Sequence, residues 1–183
     1  MVDLRARLRS ATTPLHERVD QAFSAFALER TEGYRRFLTA HAEVTVPLEQ
    51  ALEASGIETL LHDWRQRSRR QALLADLQDL GVRMTPLPSA DTFTPGWCWG
   101  AAYVMEGSRL GGRVLAKRVA QAHPNAPLRY LGQTTPPSWT GFLQQLERNA
   151  SGRPWSEVLA GAQSVFERFI HAAEARRDRF APA

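Results

Sequence analysis

The chain has 183 residues, 43% of them hydrophobic, with five tryptophans and a formal charge of +4. That length and composition suit one domain, residues 1–183, with a sizeable core, and exclude a disordered or fibrous chain. The only cysteine, Cys98, rules out an internal disulfide and a cysteine-built metal cage. No apolar run approaches the roughly 18 residues of a membrane span, and no apolar segment follows Arg5, Arg7 and Arg9, so a cytoplasmic protein without membrane attachment is expected. Lys117 is the one lysine, so the basic charge comes from arginine. It reflects either composition bias or a surface for an anionic ligand, an acidic protein or nucleic acid. Nucleic acid is the weaker of these, because no binding motif accompanies the charge.

Apolar residues recur at helical spacing nearly throughout, which predicts an all-α fold. Leu4, Leu8, Ala11, Leu15, Val19 and Ala22 form a first stripe, in which Thr13 and Pro14 predict a restart or a kink. A second helix is expected from about Thr31 to Ala54, with Pro47 as a bend and Gly56 beyond its end. A third begins near Ser68, capped through the Ser68–Gln71 spacing, and stops at Gly81. Residues 82–95 read as a loop, Thr94 and Pro95 open a long helix reaching about Ala122, and 124–137 is a second loop. Helices from about Ser138 to Asn149 and from about Pro154 to Arg179 complete the chain.

The least ordinary segment is the run from Gly100 to Val114. Each glycine inside a helix costs about 0.8–1 kcal/mol relative to alanine, so something must offset Gly107, Gly111 and Gly112. Gly100, Gly107 and Gly111 share one face. Either a neighbouring helix packs closely there, as small residues permit, or a flat ligand lies on the bare backbone. Arg109, Arg113 and Lys117, spaced by four, read as a solvated basic stripe or as a docking patch for an acidic electron donor.

A flat ligand bearing a metal would need an axial residue. His16 lies at the edge of the first stripe, with Asp20 four residues on, where a carboxylate would hold the second ring nitrogen. Arg9 lies two turns earlier on that face, and Tyr103 offers a hydroxyl to a carboxylate edge. Each also has an ordinary reading, as a surface histidine and a buried aromatic. His41 reads as a satisfied core histidine; His62, His123 and His171 as solvated or loop residues.

The segment Leu8 to Asp20, LRSATTPLHERVD, with YVMEGSRLGGRVL some ninety residues later, resembles the heme oxygenases, most of all bacterial members such as those that accompany bacteriophytochromes. The resemblance implies a helical domain that sandwiches heme between a proximal and a glycine-kinked distal helix. Heme is then both cofactor and substrate, opened with dioxygen and external electrons to biliverdin, iron and carbon monoxide. It implies His16 as the iron ligand, and Gly107, Gly111 and the adjacent Gly112 against the macrocycle. Arg9 and Tyr103 match positions near the propionates, and Arg148, Arg176 and Arg177 are further candidates. Animal members have an aspartate where this chain has Ser108, as many bacterial members do, so proton delivery would run through backbone carbonyls and water with the Ser108 hydroxyl. Implied partners are an acidic donor such as ferredoxin or a reductase, and a bacteriophytochrome as biliverdin acceptor. The competing readings are a heme carrier or sensor of the same fold, an arginine-rich helical nucleic-acid binder, and a related fold serving thiamine or quinone-cofactor metabolism.

Overall fold

The structure, a computed structural model, describes residues 3–85, 91–133 and 138–178. The eight elements among them are all helices. Parts of the two expected loops, 86–90 and 134–137, and Arg179 at the expected end of the last helix lie outside the described residues.

Helix α1, Leu4–Ser24, starts where the Asp3 side chain accepts the Arg5 N–H at 2.9 Å. The restart expected at Thr13 does not occur. Thr13 donates its hydroxyl to the Arg9 carbonyl at 2.8 Å, and the helix runs through Pro14 without a break. Proline forfeits one intrahelical hydrogen bond, but burial of Leu4 and Leu8 before it and Ala22 after it holds both halves down. Thr12 takes the inward place expected of Ala11, which is exposed.

Helix α2, Thr31–Ala54, contains Pro47 and buries Tyr34, Phe37, Leu38, Val44, Leu48 and Leu52. Gly56, at φ +80°, turns the chain into two short helices that periodicity did not reveal, α3 (Ile57–Leu60) and α4 (Trp64–Arg67). One turn of helix is too short to show a period. Helix α5, Arg70–Asp79, is not capped by Ser68 and Gln71. Glu49 of α2 does that work from across the fold, accepting the N–H groups of Arg69 (2.8 Å) and Arg70 (3.0 Å) and the Ser68 hydroxyl (2.5 Å).

Helix α6, Pro95–Ala122, has Thr94 as N-cap and proline in its first turn. Helix α7, Trp139–Ala150, starts with the Ser138 hydroxyl accepting the Gly141 N–H, and α8 spans Trp155–Asp178. Helix α8 organises the packing, with α6, α1 and α2 all laid along it, while α7 closes against α6 and α1. One core, with Leu8, Trp99, Ala102, Phe142, Leu146 and Ala162, lies under α1, α6, α7 and α8. A second, with Phe37, Leu38, Leu73, Leu77, Val119 and Tyr130, lies under α2, α5 and the far part of α6. Since α1 and α6 rest chiefly on α8 rather than on each other, each keeps an uncovered flank.

Candidate functional site

Gly100, Gly107 and Gly111 of α6 share a face, and what covers that face changes along the helix. A Cβ on Gly100 would overlap the Val158 carbonyl of α8, and one on Gly161 of α8 would overlap the Trp97 carbonyl of α6. Here the two backbones are in contact, so helix packing accounts for Gly100. Further along, a Cβ on Gly107 would meet only the Trp139 ring, at 3.8 Å, and one on Gly111 would meet nothing within 4 Å. Gly112 faces Leu131, whose Cδ2 would stand 3.5 Å from the added Cβ. The helix therefore carries two glycines that no side chain or helix requires. Leu110 and Val114 flank them, 48% and 68% exposed, the large apolar side chains most open to solvent among the described residues. At i+3 from Gly107 and Gly111 they extend one apolar stripe; sequence reading missed them, although that spacing was the available signal.

On α1, His16 is exposed, and its Nδ1 lies 3.1 Å from Asp20 Oδ2. The Phe166 ring meets the imidazole edge-on, with centroids 6.0 Å apart. These contacts fix the ring and leave Nε2 without a partner among the described residues. Arg9 is exposed two turns earlier. Tyr103 is half-buried beside Trp139, and burial raises its hydroxyl pKa while the neighbouring charges of Arg5 and Arg9 pull it back. Arg9 and Tyr103 are therefore near enough for their charge and hydroxyl to interact, across α1 and α6. Arg148 and Arg5 line an open groove of about 520 Å³ between the start of α1 and α7. Arg176 is instead engaged by Glu43 of α2, with its Nε at 3.2 Å.

The basic stripe expected on α6 is corrected at its first member. Arg109 is buried, because α4 and the turn into α5 cover that turn of the helix. Its Nε donates to Glu106 Oε1 at 2.9 Å, and its two terminal nitrogens donate to Gln133 and to the Arg67 carbonyl. Glu106 Oε2 accepts from Arg67 at 2.6 Å, and Arg67 grips Asp63 through Nε (2.8 Å) and Nη2 (2.6 Å). Burial first, then the charge of Arg69, pulls the Arg109 guanidinium below its ordinary pKa. Arg113 and Lys117 stay exposed. Ser108 donates its hydroxyl hydrogen to the Met105 carbonyl (2.7 Å) and accepts from Arg69 Nη2 (2.8 Å), which also donates to Met105 (2.9 Å). The back of the glycine segment is thereby tied to α4 and α5.

His41 is the core histidine expected of it. Nδ1 lies 2.9 Å from the Phe37 carbonyl, rings of Phe23, Phe37 and Phe169 surround it, and burial, helped by the Arg69 charge, pushes its pKa down to about 4.

No protein-family model matches the chain. A heme oxygenase of Xanthomonas campestris pv. campestris (strain 8004) is 33% identical to it over 152 residues, covering 79% of this chain and 92% of that protein. The chain belongs to the heme oxygenase family. Among solved structures, the heme oxygenase of Neisseria meningitidis, determined with NO and CO bound, superposes with a TM-score of 0.81 and 21% identity, over 100% of this chain and 96% of that one. The heme oxygenase of Leptospira interrogans gives a TM-score of 0.72 and 21% identity, over 95% and 100%. At that identity these two speak for the all-helical heme oxygenase fold. No helix among the described residues is long and apolar enough to cross a membrane.

Proposed function

We infer that this chain binds heme as its substrate and degrades it, opening the macrocycle with dioxygen and external electrons to biliverdin, iron and carbon monoxide. One observation from the fold carries the reading: the uncovered face of Gly107, Leu110, Gly111 and Val114 on α6, with an oriented imidazole on α1, both braced on α8. These residues fit a flat, largely apolar group. Bare backbone at Gly107 and Gly111, with Gly112 beside them, admits a planar ring to close contact. Leu110 and Val114 are 48% and 68% exposed, so covering them recovers that share of the about 1.5–3 kcal/mol that full burial of such a side chain is worth.

His16 holds the iron through Nε2. Asp20 at Nδ1 selects the tautomer, orients the ring and makes it a stronger donor. Arg9 and Tyr103 receive the propionates, with Arg148 as a further partner reached through the Arg5 groove. When bound, the heme supplies the iron chemistry that activates dioxygen; the chain supplies orientation, exclusion of bulk water and a place for protons. Ser108 contributes through its fixed hydrogen bonds. Its hydrogen is given to Met105 and it accepts from Arg69, so its part is to hold the turn that carries Gly107 and Gly111, while backbone carbonyls and water carry the protons.

Residues 1–183 act as one domain, with α8 shared between the two cores. Electrons come from an acidic donor such as ferredoxin or a reductase, for which Arg113 and Lys117 remain exposed. The need for reduced carriers favours the cytoplasm. A bacteriophytochrome as acceptor of biliverdin follows from the sequence resemblance alone.

Titration of purified protein with hemin, then addition of ascorbate or a ferredoxin system in air, tests the reading. The Soret band should form near one equivalent and decay as a biliverdin band grows, and His16→Ala should lose the imidazole ligand and regain it partly with added imidazole. Heme that is bound and reduced but never opened would identify a carrier, and unchanged ligand-field signatures in His16→Ala would move the iron elsewhere.

A further inference from the structure

Behind the glycine segment, Arg69, Arg109 and Arg113 converge with Tyr130, Leu131 and Gln133 on a hollow of about 10 Å³, about the room of a single water. Arg69 is 5% exposed and Arg109 9% exposed. A buried guanidinium is costly unless a negative charge or a full set of acceptors compensates it. Arg109 has that set, in Glu106, Gln133 and the Arg67 carbonyl. Arg69 has not. Its Nη2 serves Met105 and Ser108, its face lies 4.8 Å from the centre of the Tyr130 ring, and among the described residues no carboxylate meets its guanidinium. Arg113, at the mouth, has no ion pair or hydrogen bond to a described residue.

The acids nearby are all committed. Glu106 serves Arg67 and Arg109, and Asp63 serves Arg67. Glu49 is spent on the Ser68 hydroxyl and the backbone of Arg69 and Arg70. Asp76 is spent on Arg129 and the Tyr130 N–H.

We propose that this hollow is a site for a small inorganic anion, held between Arg69 and Arg113 and neutralising the buried charge that anchors the back of α6. Its size suits one oxygen of an oxyanion whose remainder sits at the mouth beside Arg113, and chloride enters it once the exposed Arg113 side chain moves outward. It takes neither heme nor its propionates, and its test needs no heme.

Melting of the heme-free full-length chain is followed as chloride replaces gluconate at constant ionic strength, with inorganic phosphate in a parallel series. The wild type should show a rise in Tm that grows with the logarithm of anion concentration above Kd, reaching about 3–5 °C at roughly nine times Kd, where binding favours the folded chain about tenfold. Arg113→Gln, a change at an exposed and unpaired residue, should fold and lose that rise. A response to both anions identifies a general anion site, to chloride alone a halide site, and to phosphate alone an oxyanion site. Crystals soaked in bromide should show anomalous density between Arg69 and Arg113. A wild-type Tm indifferent to both anions or an equal rise in Arg113→Gln would overturn the proposal, as would soaked crystals with no bromide in the hollow if chloride gives the rise.

Discussion

In the first half of α6, Gly100 meets the Val158 carbonyl while Cys98, Trp99, Ala101 and Ala102 are fully buried around it. In the second half, Gly107 and Gly111 face almost nothing, Leu110 and Val114 stand in solvent, and the helix is secured from behind by Glu106, Arg109, Arg67 and Arg69. Packing explains the glycine that lies against a helix and leaves Gly107 and Gly111 unexplained; the function proposed above assigns them to heme. The histidines repeat the contrast: His41 is enclosed by phenylalanines and His16 is open with one nitrogen restrained.

The largest effect expected on this contrast concerns how the second half is held. Glu106→Gln removes the carboxylate that two buried guanidinia share, and the apo-protein should lose about 3–5 kcal/mol, read from denaturant midpoints. A loss under about 1 kcal/mol, the range of an exposed ion pair, would mean that the second half is held by something other than its ionic anchor. Next comes the crossing itself: Gly100→Ala or Gly161→Ala forces two backbones apart and should cost up to about 3 kcal/mol. Neutral behaviour at both positions would erase the difference between the halves.

The histidine pair is separated by pH. Folded His41 titrates at about 4, against an ordinary value of 6.5, so between those values only the unfolded chain takes up its proton. Stability should fall as pH is lowered from about 6.5 to about 4, by up to about 1.4 kcal/mol per pH unit, and then level off for this group. His41→Leu should flatten that slope and His16→Ala should not; equal slopes in wild type and His41→Leu would refute the burial argument. The smallest effect has the opposite sign. Gly111→Ala should stabilise the apo-protein by up to about 1 kcal/mol, since helix propensity rises and no neighbour is displaced. The bulkier Gly111→Leu should keep a folded apo-form yet lose heme turnover. A destabilised apo-form with normal turnover would assign Gly111 to packing.

Much of the fold was written in the spacing of apolar residues: α2 and α6 begin and end where Thr31, Ala54, Thr94 and Ala122 indicate. Of the restart or kink expected at Thr13 and Pro14, the restart is absent because local rules describe an isolated helix, whereas α1 is packed along α8. The cap of α5 could not be read at all, since Glu49 lies some twenty residues from the amides it satisfies.

By itself the sequence determined the helical class, the pairing of His16 with Asp20, which four residues on one helix impose, and the glycine face of α6, which a period of 3.6 imposes. Tertiary structure decided what each face meets. It set Gly100 against α8 and left Gly111 open, and it took Arg109 out of a solvated stripe and enclosed it with Glu106. The physical reason is that helical periodicity fixes which residues share a face, while burial and ion pairing depend on partners distant in the chain, such as Val158 for Gly100 and Arg67 for Glu106.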